Sequence, residues 1–283
     1  MKQNVFKILL HLTRKQPWLE DKADELQKLL YSDCKSDEER ELILELLERF
    51  THVSNQDFSK LVHTLVEDIV TDPDLEDKTT QIVAMTGDYS SDSAQFVTYA
   101  LKAPFEKVKW RDHITVTSFQ RSYREFNKKG RKHSNIILVD EFVGSGKTIV
   151  DRVNTLKKLF ESNGITNINI KVKAIAASSI GVQKAKEAGV DLTSYLVIEQ
   201  GITGHYASNE LAQKLALMDR LESILSISYQ DRELPKLGFG KTESLYTRDD
   251  GNTPNSVFPI FWWPFFIDNS DRETILIRAM GDA

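Results

Sequence analysis

The stretch Ile136-Ile137-Leu138-Val139-Asp140-Glu141-Phe142-Val143-Gly144-Ser145-Gly146-Lys147-Thr148 constrains the fold more than any other part of the chain. Four consecutive apolar residues without polar alternation suit a strand covered on both faces, and such strands belong to parallel sheets. A turn of small residues follows, then a helical pattern from about Lys147 to Phe160. Similar strand texture recurs at Gln81-Ile82-Val83-Ala84-Met85, Ile114-Thr115-Val116-Thr117, Ile168 to Ala177 and Leu196-Val197-Ile198, with a further helix from Ile180 to Ala188. Strands alternating with helices predict right-handed crossovers and a parallel sheet flanked by helices, an α/β fold.

The two ends of the chain read differently. Leu26, Leu29 and Leu30 recur at helical spacing, as do Leu42, Leu46, Leu47 and Phe50. Ser36-Asp37-Glu38-Glu39 has the form of a capping box, and Ser54 before Asp57 suggests another helix start. Thr71-Asp72-Pro73-Asp74 is a break. A last helix covers Ser208 to Ile227, and the tail from Asp231 onward is rich in Pro, Gly and aromatics. The expected organisation is a helical N-terminal extension over 1–73, an α/β domain over 74–230 and an irregular C-terminal lobe over 231–283.

Composition narrows the function classes. The chain has 283 residues, Lys+Arg 37 against Asp+Glu 42 and a formal net charge of -5, which disfavours a surface gripping nucleic acid throughout. The single cysteine, Cys34, excludes an intrachain disulfide and a Cys-rich zinc site. The six histidines have no metal-ligand spacing, so no resident metal site is expected. No apolar run approaches the roughly 18 residues of a membrane span. The N-terminus lacks signal-peptide form, and the expected location is the cytoplasm. There is no Gly-x-Ser-x-Gly elbow to support a hydrolase triad.

Chemistry concentrates after the Ile136–Val139 run. Ligands of open parallel sheets bind at the carboxyl ends of strands. A helix N-terminus offers free amides to an anion, and small residues let backbone approach a phosphate. Two adjacent carboxylates before that turn suit the vicinal hydroxyls of a sugar. Asp140, Glu141 and the loop after them together describe a site for a ribose 5-phosphate group. Gly-Ser-Gly-Lys-Thr also suggests the phosphate loop of nucleotide triphosphatases, and a P-loop ATPase is the weaker alternative. That motif needs a glycine five positions before Gly146, where this chain has the bulky acid Glu141.

Four apolar residues, two acids, two mostly apolar residues, then small-small-Gly-any-Thr is similar to the PRPP-binding signature of type I phosphoribosyltransferases, over roughly residues 78–200. The resemblance implies that Asp140 and Glu141 hold the ribose hydroxyls as the catalytic acids. It implies that Val143, Gly144, Ser145, Gly146, Lys147 and Thr148 cradle the 5-phosphate. Lys147 departs from the second glycine found in many members. An earlier strand-loop-helix, Met85 to Ser93, stands where the family holds pyrophosphate, so Ser90, Ser91 and Ser93 are the candidate pyrophosphate ligands, with Mg²⁺ arriving with PRPP. The basic residues Lys128, Lys129, Arg131 and Lys132 are candidates for the family's mobile loop, which closes on the substrate and excludes water.

The tail, Leu237-Gly238-Phe239-Gly240 followed by Thr253-Pro254-Asn255-Ser256-Val257-Phe258-Pro259-Ile260-Phe261-Trp262-Trp263, resembles phosphoribosyltransferase-like proteins of bacterial conflict and antiphage loci, including retron-associated ones. That likeness implies a defence effector that acts with protein partners, such as a reverse transcriptase with its nucleic acid, and admits an oligomer. It also makes Trp262 and Trp263 candidates for stacking a base. The rival class is a ligand-sensing or scaffolding subunit that kept the fold and lost the chemistry.

Overall fold

The computed structural model describes residues 3–86 and 93–282. The chain divides into two compact units, Asn55–Val197 and a composite of Met1–Ser54 with Ile198–Ala283. Along the chain, α1 (Gln3–Lys15), α2 (Ala23–Lys28), α3 (Asp37–Glu48) and β1 (Thr51–Val53) open the composite unit. The expected capping box starts α3: Ser36 accepts from the Glu39 amide while the Glu39 carboxylate reaches back to the Ser36 amide.

The continuous unit follows as α4 (Asn55–Val70), β2 (Thr80–Ala84), α5 (Ser93–Ala100), α6 (Lys102–Lys107), β3 (Ile114–Val116), α7 (Ser122–Lys128), β4 (Asn135–Val143), α8 (Lys147–Glu161), β5 (Asn169–Ser178), α9 (Ser179–Glu187) and β6 (Asp191–Ile198). The sheet order is β3-β2-β4-β5-β6. β2 is parallel to both β3 and β4, and β4 is parallel to β5. The architecture is the expected α/β one, a parallel sheet flanked by helices. Ile136 to Val139 are wholly buried at the centre, as their unbroken apolar run requires. Ile136 and Leu138 join Val83, Val172, Ile149, Leu156 and Phe160 in one core.

The remainder is α10 (Ser208–Glu222), the hairpin β7 (Ser228–Tyr229) with β8 (Arg232–Glu233), and β9 (Tyr246–Arg248), set in largely irregular chain. Leucines of α1 to α3 share a core with Leu217, Met218 and Leu221 of α10 and with Phe258, Phe261, Trp262 and Trp263 of the tail. β1 pairs in parallel with β9, Thr51 opposite Tyr246. Arg272, almost fully buried, donates to Asp33 at 2.8 Å and to the carbonyls of Trp263 and Ile260 at 3.1 and 2.7 Å.

These contacts correct the expected boundaries at residues 73 and 230. The N-terminal helices and the C-terminal lobe are one unit, because neither has an apolar core without the other. α4, expected in the N-terminal extension, belongs to the sheet. Lys173 and Lys171 of β5 project two residues apart on one face of the sheet. They pair with Asp68 and Asp72, one helical turn apart on and just beyond α4. Tyr195 of β6 donates to the same Asp68 at 2.9 Å.

Candidate phosphoribosyl site

The site is built where β4 ends. A nine-residue strand of mainly apolar residues brings Asp140 and Glu141 to the carboxyl end of the parallel sheet. Successive strand residues face opposite sides, so the two acids diverge. Glu141 is buried, Asp140 half-buried. An Asp140 oxygen accepts its neighbour's amide, Glu141 N–H, at 2.8 Å. The same oxygen lies 3.5 Å from the Ser93 hydroxyl, the first residue of α5. The structure thus brings together Ser93 and Asp140, which are 47 positions apart. Ser90 and Ser91 lie outside the described residues.

The turn from β4 into α8 needs Gly146. Its φ is 74°, in the left-handed region, and a Cβ there would sit 2.9 Å from the Gly181 carbonyl oxygen and from Lys184 Cβ. α8 begins at Lys147 with no side chain capping its N-terminus. The first intrahelical bond from this turn is Val150 N–H to Gly146 O at 3.2 Å. The amides of the first turn therefore face outward without a helical partner, with the helix dipole behind them. Gly144 and Ser145 are half-buried, Lys147 and Thr148 exposed, and Val143 is a buried core residue. A cradle of main-chain amides with hydroxyls from Ser145 and Thr148 is what this turn offers to an anion. Val143 contributes packing.

Three residues outside the candidate set shape the turn. Ser178 caps α9, accepting from the Gly181 amide at 2.9 Å, and donates to the Gly144 carbonyl at 2.7 Å. Gly181 approaches so closely that a Cβ would stand 2.3 Å from that carbonyl. Lys184 follows one turn later, its stem against Gly146. The sequence carried partial signals. Ser178 before Ser179-Ile180-Gly181 has the form of a helix cap, and a glycine inside a helical pattern marks close approach.

Two expectations are corrected here. Lys128, Lys129, Arg131 and Lys132 do not stand near the site. α7 descends from the carboxyl-end loop, and these residues lie at its foot just before β4 begins. There Lys128 pairs with Glu125 and Arg131 donates to Asn127. At strand rise, Asp140 lies about 17 Å and the turn about 26 Å beyond the start of β4, away from these residues. Trp262 and Trp263 belong to the composite unit and are at most 1% exposed. Their indole N–H groups donate to Val257 O and Ser226 Oγ at 2.9 and 2.8 Å. Both are core residues with no face free to stack a base. A P-loop is also excluded in form, since Glu141 is a buried strand residue where that loop needs glycine.

A parallel sheet carrying two acids and an uncapped glycine turn defines a phosphoribosyltransferase-like protein. The model of the PRTase-CE family matches residues 30–272, and the chain belongs to that family. Among solved structures it is similar to orotate phosphoribosyltransferase from Aeropyrum pernix, at 14% identity and TM-score 0.29, over 50% of this chain and 71% of that one. It is also similar to the Helicobacter pylori xanthine-guanine-hypoxanthine phosphoribosyltransferase, at 15% identity and TM-score 0.29, over 52% of this chain and 83% of that one. The family match, not these two likenesses, carries the assignment. No curated protein matches the chain. Among the described residues, no helix is long and apolar enough to cross a membrane.

Proposed function

We propose that the chain binds PRPP at the β4–α8 turn and transfers its ribose 5-phosphate to a nitrogen nucleophile. The C1–O bond to pyrophosphate breaks and a C1–N bond forms. Pyrophosphate leaves with the bonding electrons, and the nucleophile's proton passes to solvent. Asp140 accepts from the ribose hydroxyls. The first-turn amides of α8, with Ser145 and Thr148, hold the 5-phosphate. Ser93, at the N-terminus of α5, faces the pyrophosphate side. No group of three or more His, Cys, Asp or Glu among the described residues could hold a metal alone. Mg²⁺ would arrive with PRPP on its pyrophosphate oxygens and would supply charge neutralisation of the leaving group. The protein supplies positioning and charge complementarity.

The observation that carries this reading is the 3.5 Å approach of Ser93 to Asp140 beside the uncapped start of α8. Thermal shift with PRPP and Mg²⁺ tests it. A rise in Tm that disappears in Asp140→Asn/Glu141→Gln is expected. Stabilisation by ATP with no PRPP effect refutes it. Pyrophosphate release on adding free bases then separates enzyme from sensor.

A ligand-sensing subunit is favoured by one observation, the absence of the basic segment 128–132 from the site. Where that segment does not close over the site, it does not help to exclude water or to protect transfer from hydrolysis. Either form suits a cytoplasmic effector in an antiphage system, working beside a reverse transcriptase and its nucleic acid. Co-purification from cells expressing the neighbouring genes tests that setting.

A further inference from the structure

The composite unit contains a cavity of about 400 Å³ lined by Arg232, Leu234, Pro235, Phe239, Asn255 and the buried Trp262 and Trp263, with Glu233 beside Arg232. That volume is within the range of small-molecule sites. The surrounding lobe buries its other large rings: Phe258, Phe261, Trp262 and Trp263 are each at most 1% exposed. Phe239, in contrast, is 48% exposed.

The backbone that presents Phe239 is under strain. Leu237, Gly238, Gly240, Lys241 and Glu243 have φ of 60°, 76°, 71°, 53° and 48°. Three of these are not glycine, and strain of this kind persists only where surrounding contacts over-determine it. Here they do. Leu237 N–H donates to the buried Glu222 carboxyl at 3.1 Å, and Glu243 N–H returns to Leu237 O at 2.8 Å. Phe239 N–H donates to Asn255 O at 2.8 Å, and Thr242 Oγ to Ser256 O at 2.7 Å. Gly238 cannot be replaced, since a Cβ there would lie 2.1 Å from Ser256 O. The loop is thus fixed in a costly shape that holds an aromatic ring in solvent at the mouth of a cavity.

The other groups at the cavity define what fits. Asn255 is half-buried, and its side-chain amide, one donor group and one acceptor, has no partner among the described residues. Arg232 and Glu233 carry opposite charges, so the cavity favours neither an anion nor a cation. The geometry points to a binding site for an uncharged planar heteroaromatic ring of nucleobase type, stacked on Phe239 and read along its edge by Asn255. This site lies in a different unit from the phosphoribosyl site and does not depend on it.

Isothermal titration of the full chain with adenine, guanine, cytosine and uracil, each alone, tests the assignment. Saturable binding of at least one base is expected. Phe239→Ala weakens it roughly tenfold or more, the range of a lost stacking contact. Asn255→Ala weakens it and narrows the differences between bases. Phe239→Ala lowers Tm only slightly, because about half of the ring is already in solvent, and leaves the PRPP-induced shift unchanged. Asp140→Asn/Glu141→Gln leaves base binding unchanged, so this site and the phosphoribosyl reading fail separately. No saturable binding of any base overturns the assignment. So does binding that survives both Phe239→Ala and Asn255→Ala, or binding lost in Asp140→Asn/Glu141→Gln.

Discussion

Glu222 sets how the composite unit responds to pH. It is the last residue of α10 and is 1% exposed. Burial pushes its carboxyl up to about 8 from an ordinary 4.5. The Leu237 amide and Lys236 oppose the rise, while Asp219 and Glu243 add to it. In the folded chain it therefore holds its proton across the neutral range, where the unfolded chain has released it. The folded state binds more protons between the two pKa values, so stability is complete below the unfolded pKa and falls as pH rises through the folded one. Glu222→Gln keeps the shape and an acceptor for Leu237 N–H but cannot ionise. Wild type should lose about 3 kcal/mol relative to the variant between about pH 5 and pH 8. That corresponds to roughly 6–10 °C in relative Tm for a chain of this size. Three of the four tryptophans, Trp18, Trp262 and Trp263, lie in or against the same core, so unfolding followed by tryptophan fluorescence in a Trp110→Phe background reads this unit. Parallel pH profiles for wild type and Glu222→Gln would refute the reasoning.

Other substitutions probe the site and the join between chain ends. Gly181→Ala forces its Cβ against the Gly144 carbonyl, so PRPP binding by calorimetry should be lost, with about 1–3 kcal/mol of stability. Ser178→Ala removes the bond to that carbonyl, and affinity should fall more than stability does, with Ser178→Thr restoring it. Arg272→Met strands the Asp33 carboxylate and two carbonyls in the core, costing about 3–5 kcal/mol in urea unfolding. Asp33→Leu/Arg272→Met should recover much of that loss. Burial pushes the Cys34 thiol up to about 12, so it should react with thiol reagents only after denaturation.

What the sequence disclosed depended on how far apart the interacting residues lie. The strand Ile136 to Val139, the glycine turn and α8 are contiguous, and periodicity with small-residue spacing reveals contiguous chemistry. The capping box at Ser36 was equally readable, because cap and partner are three residues apart. The misreadings came from long-range pairing. Residues 51–53 pair with 246–248, three rungs that no local pattern announces. Asp68 and Asp72 give no local sign that Lys171 and Lys173 of β5, about a hundred residues on, are set against them. The basic run 128–132 follows the carboxyl-end loop in sequence, but α7 leads the chain away from that loop toward the start of β4 at Asn135. Direction along an element decides the outcome in each case: a charge belongs to the site only if its element ends there. Lys147 and Lys184 meet that condition where Lys128 and Arg131 do not. Lys147 opens α8 at the turn and the Lys184 stem lies against Gly146, so we propose that the site draws its positive charge from α8 and α9. Ligand affinity should accordingly fall in Lys184→Gln and be indifferent to Lys128→Gln, and the reverse order would return the basic run to the site.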